Sequence, residues 1–190
     1  MIFAVAALVA LTGAATALAS HNQTSPTGCN STPHDDFFSG TESADACNTN
    51  GGNDTLAGRE GDDTLEGDTG NDVVRGGKGG DFLDGGADAD DVREGDGSGF
   101  AFGSDGNDNN TGGEGNDFVV GGLGNDTNRG GSGEDFVADA DGGDVDVNEG
   151  GDGDDFVDGA DGDNNDVIDG GPGQDDCNAD AGETTVNCEL

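Results

Sequence analysis

From Thr49 to Asn178 most nine-residue steps of the chain place an apolar side chain at the same position, set in stretches of Gly, Asp and Asn. From Gly58 the sequence reads GREGDDTLE, GDTGNDVVR, GGKGGDFLD, GGADADDVR, EGDGSGFAF, GSDGNDNNT, GGEGNDFVV, GGLGNDTNR and GGSGEDFVA, without a gap to Ala138. TNGGNDTLA (Thr49–Ala57) extends this register backwards, and DGGDVDVNE, GGDGDDFVD and GGPGQDDCN continue it from Asp141, Gly150 and Gly170. Two-residue insertions fall at about 139–140 and within 159–169, both in the Gly/Asp half of a unit. Such a period marks a solenoid rather than a folded-back sheet. Positions one to six, with Gly at one, two and four, predict a tight turn whose carbonyls are exposed. Positions seven to nine predict a short strand, and alternation turns the apolar eighth residue inward. Each unit is then half a coil, and two units make one full coil of 18 residues. The expected fold is all-β, a parallel β-solenoid.

The chemistry of the unit lies at position six, which is Asp in nearly every copy. Carboxylates beside backbone carbonyls are the donors that a hard cation such as calcium takes. The pattern G-G-x-G-x-D-x-U-x, with U apolar, resembles the calcium-binding nonapeptide of the repeats-in-toxin (RTX) family over most of the chain. The resemblance implies a right-handed parallel β-roll that holds several calcium ions between turns, through position-six carboxylates and carbonyls. The matching residues are Asp54, Asp63, Asp72, Asp81, Asp90, Asp108, Asp117, Asp126, Asp135, Asp146, Asp155, Asp166 and Asp175. One unit departs, with Gly99 in place of Asp, so a site is not expected there. The competing reading, an acidic disordered tail, fits the composition but not the strict period.

The 18-residue coil period separates the units into two kinds. One kind carries Phe82, Phe100, Phe118, Phe136 and Phe156 at position seven, which faces outward and predicts a ladder of rings. Such a ladder either stiffens neighbouring coils or offers a docking stripe for a protein partner or a second copy. The other kind has Leu56, Val74, Val92, Asn110, Asn128, Asn148 and Ile168 at the inward position. Three successive inward Asn are tolerable only if their amides bond one another from coil to coil. Arg75, Arg93 and Arg129 stand at position nine of the same units, where they offset outer carboxylates.

Cys29 and Cys47 are one coil apart, and neighbouring parallel strands approach closely enough for a disulfide. Cys177 has Cys188 as its only nearby partner. Its surroundings, DDCNADAGETTVNCEL, look like the Cys-closed ends of other secreted repeat proteins. No C-x-x-C pair is present, which argues against a Cys metal site.

Charge adds a constraint. The chain has 43 Asp and Glu against 5 Lys and Arg, a net charge of -38. Two carboxylates about 5 Å apart repel by roughly 3 kcal/mol at an effective dielectric of about 20. A compact form therefore needs cations, and nucleic acid is excluded as a partner for want of a basic surface. Residues 1–19 carry no charge and end in Ala17-Leu18-Ala19, the pattern of a cleaved secretory signal peptide. The expected division is a signal peptide at 1–19, a polar segment with Cys29 at 20–39, the roll at 40–178 and a cap with Cys188 at 179–190. The product would be extracellular and without a membrane span.

No catalytic motif is found, and His21 and His34 read as linker residues. Enzymes of the RTX type carry catalysis in separate domains, so no enzyme is expected. The function expected is calcium binding that folds or stiffens the roll. The alternative is an adhesion or matrix protein that holds a partner through the Phe stripe or the acidic faces.

Overall fold

The computed structural model describes residues 22–23, 29, 31–139, 144–160, 162 and 165–188. The proposed signal segment, 1–19, lies outside them. Every regular element is a strand, and the strands form two parallel sheets, one on each side of a narrow core.

The first sheet has ten strands in chain order: Asn22–Gln23, Phe37–Ser39, Thr55–Glu60, Val73–Lys78, Asp91–Asp96, Asn109–Glu114, Thr127–Ser132, Val147–Asp152, Val167–Asp169 and Thr184–Val186. The second has eight: Ala46–Asn48, Thr64–Thr69, Phe82–Ala87, Phe100–Asp105, Phe118–Leu123, Phe136–Ala138, Phe156–Asp158 and Asp176–Asn178. From Phe37–Ser39 onward successive strands alternate between the sheets, so the chain winds as a solenoid of about 8 turns. In-register rungs such as Phe82↔Phe100 and Val74↔Val92 realise the 18-residue coil. Beyond Ser132 the partners become Thr127↔Val147 and Val147↔Val167. The pairing thus keeps its register across both insertions.

The core is one residue thick from each side. Phe38, Leu56, Val74, Val92 and Ile168 from the first sheet face Cys47, Leu65, Leu83, Val119, Val137 and Val157 from the second, all buried. The six-residue turn expected from the sequence is corrected by the structure. The strands from Thr55–Glu60 to Thr127–Ser132, and Val147–Asp152, run six residues, through positions seven to nine and on through one to three of the next unit. Position one faces inward beside the apolar position, giving two buried residues per strand. Only positions four to six turn. The glycines are thus ladder members as well as bends, since a residue without Cβ can lie flush against the next coil. Gly115 illustrates the bend: its φ is 128°, and a Cβ there would overlap the Gly97 carbonyl one coil away.

Disulfides close both ends. Cys29–Cys47 spans Cα atoms 5.0 Å apart and Cys177–Cys188 spans 5.7 Å. Among the described residues no helix is long and apolar enough to cross a membrane.

Candidate metal-binding columns

The turns stack, and stacking places every position-six Asp in one of two columns. All thirteen aspartates expected from the repeat are buried. Each carboxylate is oriented by its neighbour: the backbone N–H of a position-six residue donates to Oδ1 of the position-six Asp one coil on. Along the first column Asp54 N–H reaches Asp72 at 2.7 Å, Asp72 reaches Asp90 at 2.7 Å and Asp90 reaches Asp108 at 2.8 Å. Along the second, Asp63 reaches Asp81 at 2.8 Å, Asp117 reaches Asp135 at 2.8 Å and Asp135 reaches Asp155 at 2.8 Å.

The second carboxylate oxygen is the chemically informative atom. Oδ2 of Asp54, Asp63, Asp72, Asp81, Asp90, Asp108, Asp117, Asp135, Asp155 and Asp175 is buried with no hydrogen-bond donor. It shares its surroundings with backbone carbonyls. A Cβ placed on Gly112 would lie 2.5 Å from both Asp117 Oδ2 and the Gly130 carbonyl oxygen, and the same holds at Gly130 for Asp135 and Gly150. Buried, anionic, donorless oxygens beside carbonyl oxygens are costly unless something cationic meets them. The chain's own cations do not. The ion pairs among the described residues join Arg75 and Arg93 to Asp91, Lys78 to Glu60 and Arg129 to Glu149, all outside the columns.

Burial raises the pKa of several column carboxylates. It pushes Asp63 and Asp135 up to about 6, Asp72 and Asp108 to about 7, and Asp90 to about 8. The N–H donor to each carboxylate pulls the other way, and carboxylates in adjacent coils add to the rise. Asp54, Asp81, Asp117 and Asp155 are raised from the same leading cause.

Comparison with known proteins agrees with this geometry. The profile of the RTX calcium-binding nonapeptide repeat (4 copies) matches residues 34–56, 57–92, 66–101, 102–137 and 162–186. The chain belongs to the RTX calcium-binding nonapeptide-repeat family. No curated protein matches it in sequence. Among solved structures it is similar to the extracellular lipase LipA from Serratia marcescens, at 19% identity and a TM-score of 0.27. That alignment covers 74% of this chain and 32% of the lipase, so the chain spans about a third of that protein's length.

The donor set of this RTX chain fits calcium. It is all oxygen, it pairs carboxylates with carbonyls, and it lacks the His or thiolate donors that favour softer ions. A bound ion would supply positive charge between the coils. The residues that would hold it are the position-six aspartates and position-one carbonyls described above.

Several residues of the columns escaped the repeat pattern. Asp36 and Asp45 lie one coil before Asp54 and Asp63; they are buried, and their N–H groups donate to those carboxylates at 2.6 and 2.8 Å. Their own Oδ2 atoms accept from Thr32 and Thr41, closing the first turns. The D-x-U signal was present at Asp36 and Phe38, but without the glycines. Asp139 enters from position one at the first insertion; one carboxylate oxygen each of Asp126, Asp139 and Asp146 lie within 4.8 Å of one another, and all three residues are buried. Gly99 carries no carboxylate, as the sequence indicates, yet its column is not interrupted, because Glu94 Oε1 accepts the Asp81 N–H there.

The outer faces follow the expectation and extend it. Phe82, Phe100, Phe118, Phe136 and Phe156 form a continuous ladder with centroid steps of 6.2, 5.9, 4.5 and 5.3 Å. Phe102 at position nine joins it, 5.4 Å from Phe82 and 6.0 Å from Phe118. Position five adds a second stitch between coils: Asn53, Asn71, Asn107 and Asn116 each accept a backbone N–H from the next coil.

Proposed function

We propose that the chain is a secreted calcium-binding scaffold whose roll folds or stiffens as ions neutralise its carboxylate columns. The observation that carries this reading is the set of buried Oδ2 atoms without donors, repeated coil after coil beside carbonyl oxygens. A fold that buries so many like charges is unfavourable alone, so binding energy becomes folding energy. Position-six aspartates from Asp54 to Asp175 are the ligands in this reading. Export is supported by the two disulfides, which suit an oxidising compartment, and by the apolar leader at 1–19. The chain is read as a scaffold and not an enzyme. The test is calcium titrated into chelator-treated protein, with bound ions counted by equilibrium dialysis. The scaffold binds several ions, and a chain that binds none refutes the proposal.

A second reading is supported by the Phe ladder, where Phe82 and Phe100 are 40% and 47% exposed. On that reading the calcium-loaded roll is an adhesion or matrix module that docks a partner or a second copy. Phe118, Phe136 and Phe156 are half-buried and stacked on one another, which favours stiffening over docking in that part of the ladder.

A further inference from the structure

Positions one and six of a unit compete for one volume. A Cβ on Gly58 or Gly76 would overlap Oδ2 of Asp63 or Asp81 in its own unit, and on Gly112 or Gly130 it would lie 2.5 Å from Oδ2 of Asp117 or Asp135. A long side chain at position one therefore enters the volume of the position-six carboxylate, whereas the short Thr49 is buried alongside Asp54 in its unit. In the unit of residues 94–102 both positions depart together: Glu94 stands where Gly is the rule, and Gly99 where Asp is.

The structure makes the two departures a single exchange. Glu94 is fully buried, at 0% exposure. A Cβ on Gly99 would lie 2.5 Å from Glu94 Oε1 and 2.7 Å from its Cγ, so Glu94 fills the space of the missing Asp side chain. Its Oε1 accepts the Asp81 N–H at 3.2 Å, the bond that a position-six Oδ1 accepts elsewhere in the column. The column then resumes, with the Gly99 N–H donating to Asp117 Oδ1 at 3.0 Å. Glu94 Oε2 is buried without a donor, as are Oδ2 of Asp81 and Asp117 on the flanking coils.

We propose that Glu94 supplies, from position one, the calcium-ligating carboxylate that Gly99 lacks, so that the second column holds ions without a gap. This rests on the calcium reading above. A hydrogen-bonding or space-filling role alone would be met equally by Gln, which keeps the acceptor and the shape but removes the charge.

The experiment counts bound calcium by equilibrium dialysis of the full chain, with calcium as the probe. It compares the wild type, Glu94→Gln and the double exchange Glu94→Gly/Gly99→Asp. The expected result is about one ion fewer for Glu94→Gln and the wild-type count for the double exchange. An unchanged count and affinity in Glu94→Gln overturns the proposal and leaves the calcium reading standing. A double exchange that binds more ions than the wild type also overturns it, and this comparison holds even where Glu94→Gln does not fold. A wild type that binds no calcium overturns both readings.

Discussion

The amide ladder inside the first sheet allows a prediction that does not depend on the identity of the ion. Asn110, Asn128 and Asn148 are fully buried. Asn110 Nδ2 donates to Asn128 Oδ1 at 2.9 Å, and Asn128 Nδ2 donates to Asn148 Oδ1 at 2.9 Å. Asn128→Val removes both bonds of the amide ladder and leaves the Asn110 Nδ2 donor and the Asn148 Oδ1 acceptor unmet, besides the bond to Asp139. Each such group costs about 1–3 kcal/mol, so the loss is roughly 2–6 kcal/mol. Burial of the Val side chain returns about 1.5 kcal/mol, for a net destabilisation of roughly 0.5–4.5 kcal/mol. Replacing all three Asn by Val removes the stranded partners as well, together with the unmet Asn110 Oδ1 and Asn148 Nδ2 at the ends of the ladder. The Asp139 carboxylate, which also accepts from Asn128 Nδ2 at 3.0 Å, loses that donor in both variants, so the loss cancels between them. The triple variant is therefore expected to be more stable than the single one, by about 1 kcal/mol or more. Urea unfolding at saturating calcium, followed by far-UV circular dichroism, measures both. An Asn128→Val protein within about 0.5 kcal/mol of wild type, or a triple variant below the single, would refute the reasoning.

Two further outcomes follow from the ends and from the columns. Removing the Cys29–Cys47 bridge, whose cysteines are 18 residues apart, is expected to cost about 3 kcal/mol by the loop-entropy relation. Hydrogen exchange should locate the loss in the first coils and leave the strand Phe118–Leu123 protected, and uniform loss along the roll would contradict a solenoid of locally coupled coils. The second outcome concerns pH in the absence of calcium. The folded chain holds protons on Asp63, Asp72, Asp90, Asp108 and Asp135 up to about 6–8, whereas an exposed Asp releases them near 3.8. The folded state binds more protons across that window, so its stability falls as pH rises from about 4 to about 8. Calcium-free protein is expected to keep more strand signal at pH 5 than at pH 8; equal or greater stability at pH 8 would exclude the buried columns.

Much of this architecture is legible in the spacing alone. The nine-residue step of apolar residues identifies the inward positions, and the 18-residue step separates the Phe face from the Asn face and pairs Cys29 with Cys47. Periodic side chains report directly on periodic surroundings. Strand length is less legible, because positions one and two are mostly glycine and position three is mostly polar, so they carry no hydropathic signal for the ladder they continue. Glu94 is missed for another reason. It and Gly99 each read as a failed repeat, and only the shared volume between them turns two failures into one exchange. Phe102 lies at position nine, outside the position-seven pattern that marks the ladder, and joins it through the common outward direction of both positions. Asp36 and Asp45 precede the glycine-rich units, and their coil-to-coil bonds place them in the columns.

The central claim is that the buried carboxylate columns make the fold depend on calcium. It is tested most directly by far-UV circular dichroism of chelator-treated protein at pH 7.5 as calcium is added to about 10 mM, with magnesium as the parallel titrant. The account predicts little strand signal at the start and a cooperative rise with calcium that magnesium does not reproduce. A full strand signal in the chelated protein at that pH, or no gain at the highest calcium concentration, would contradict it.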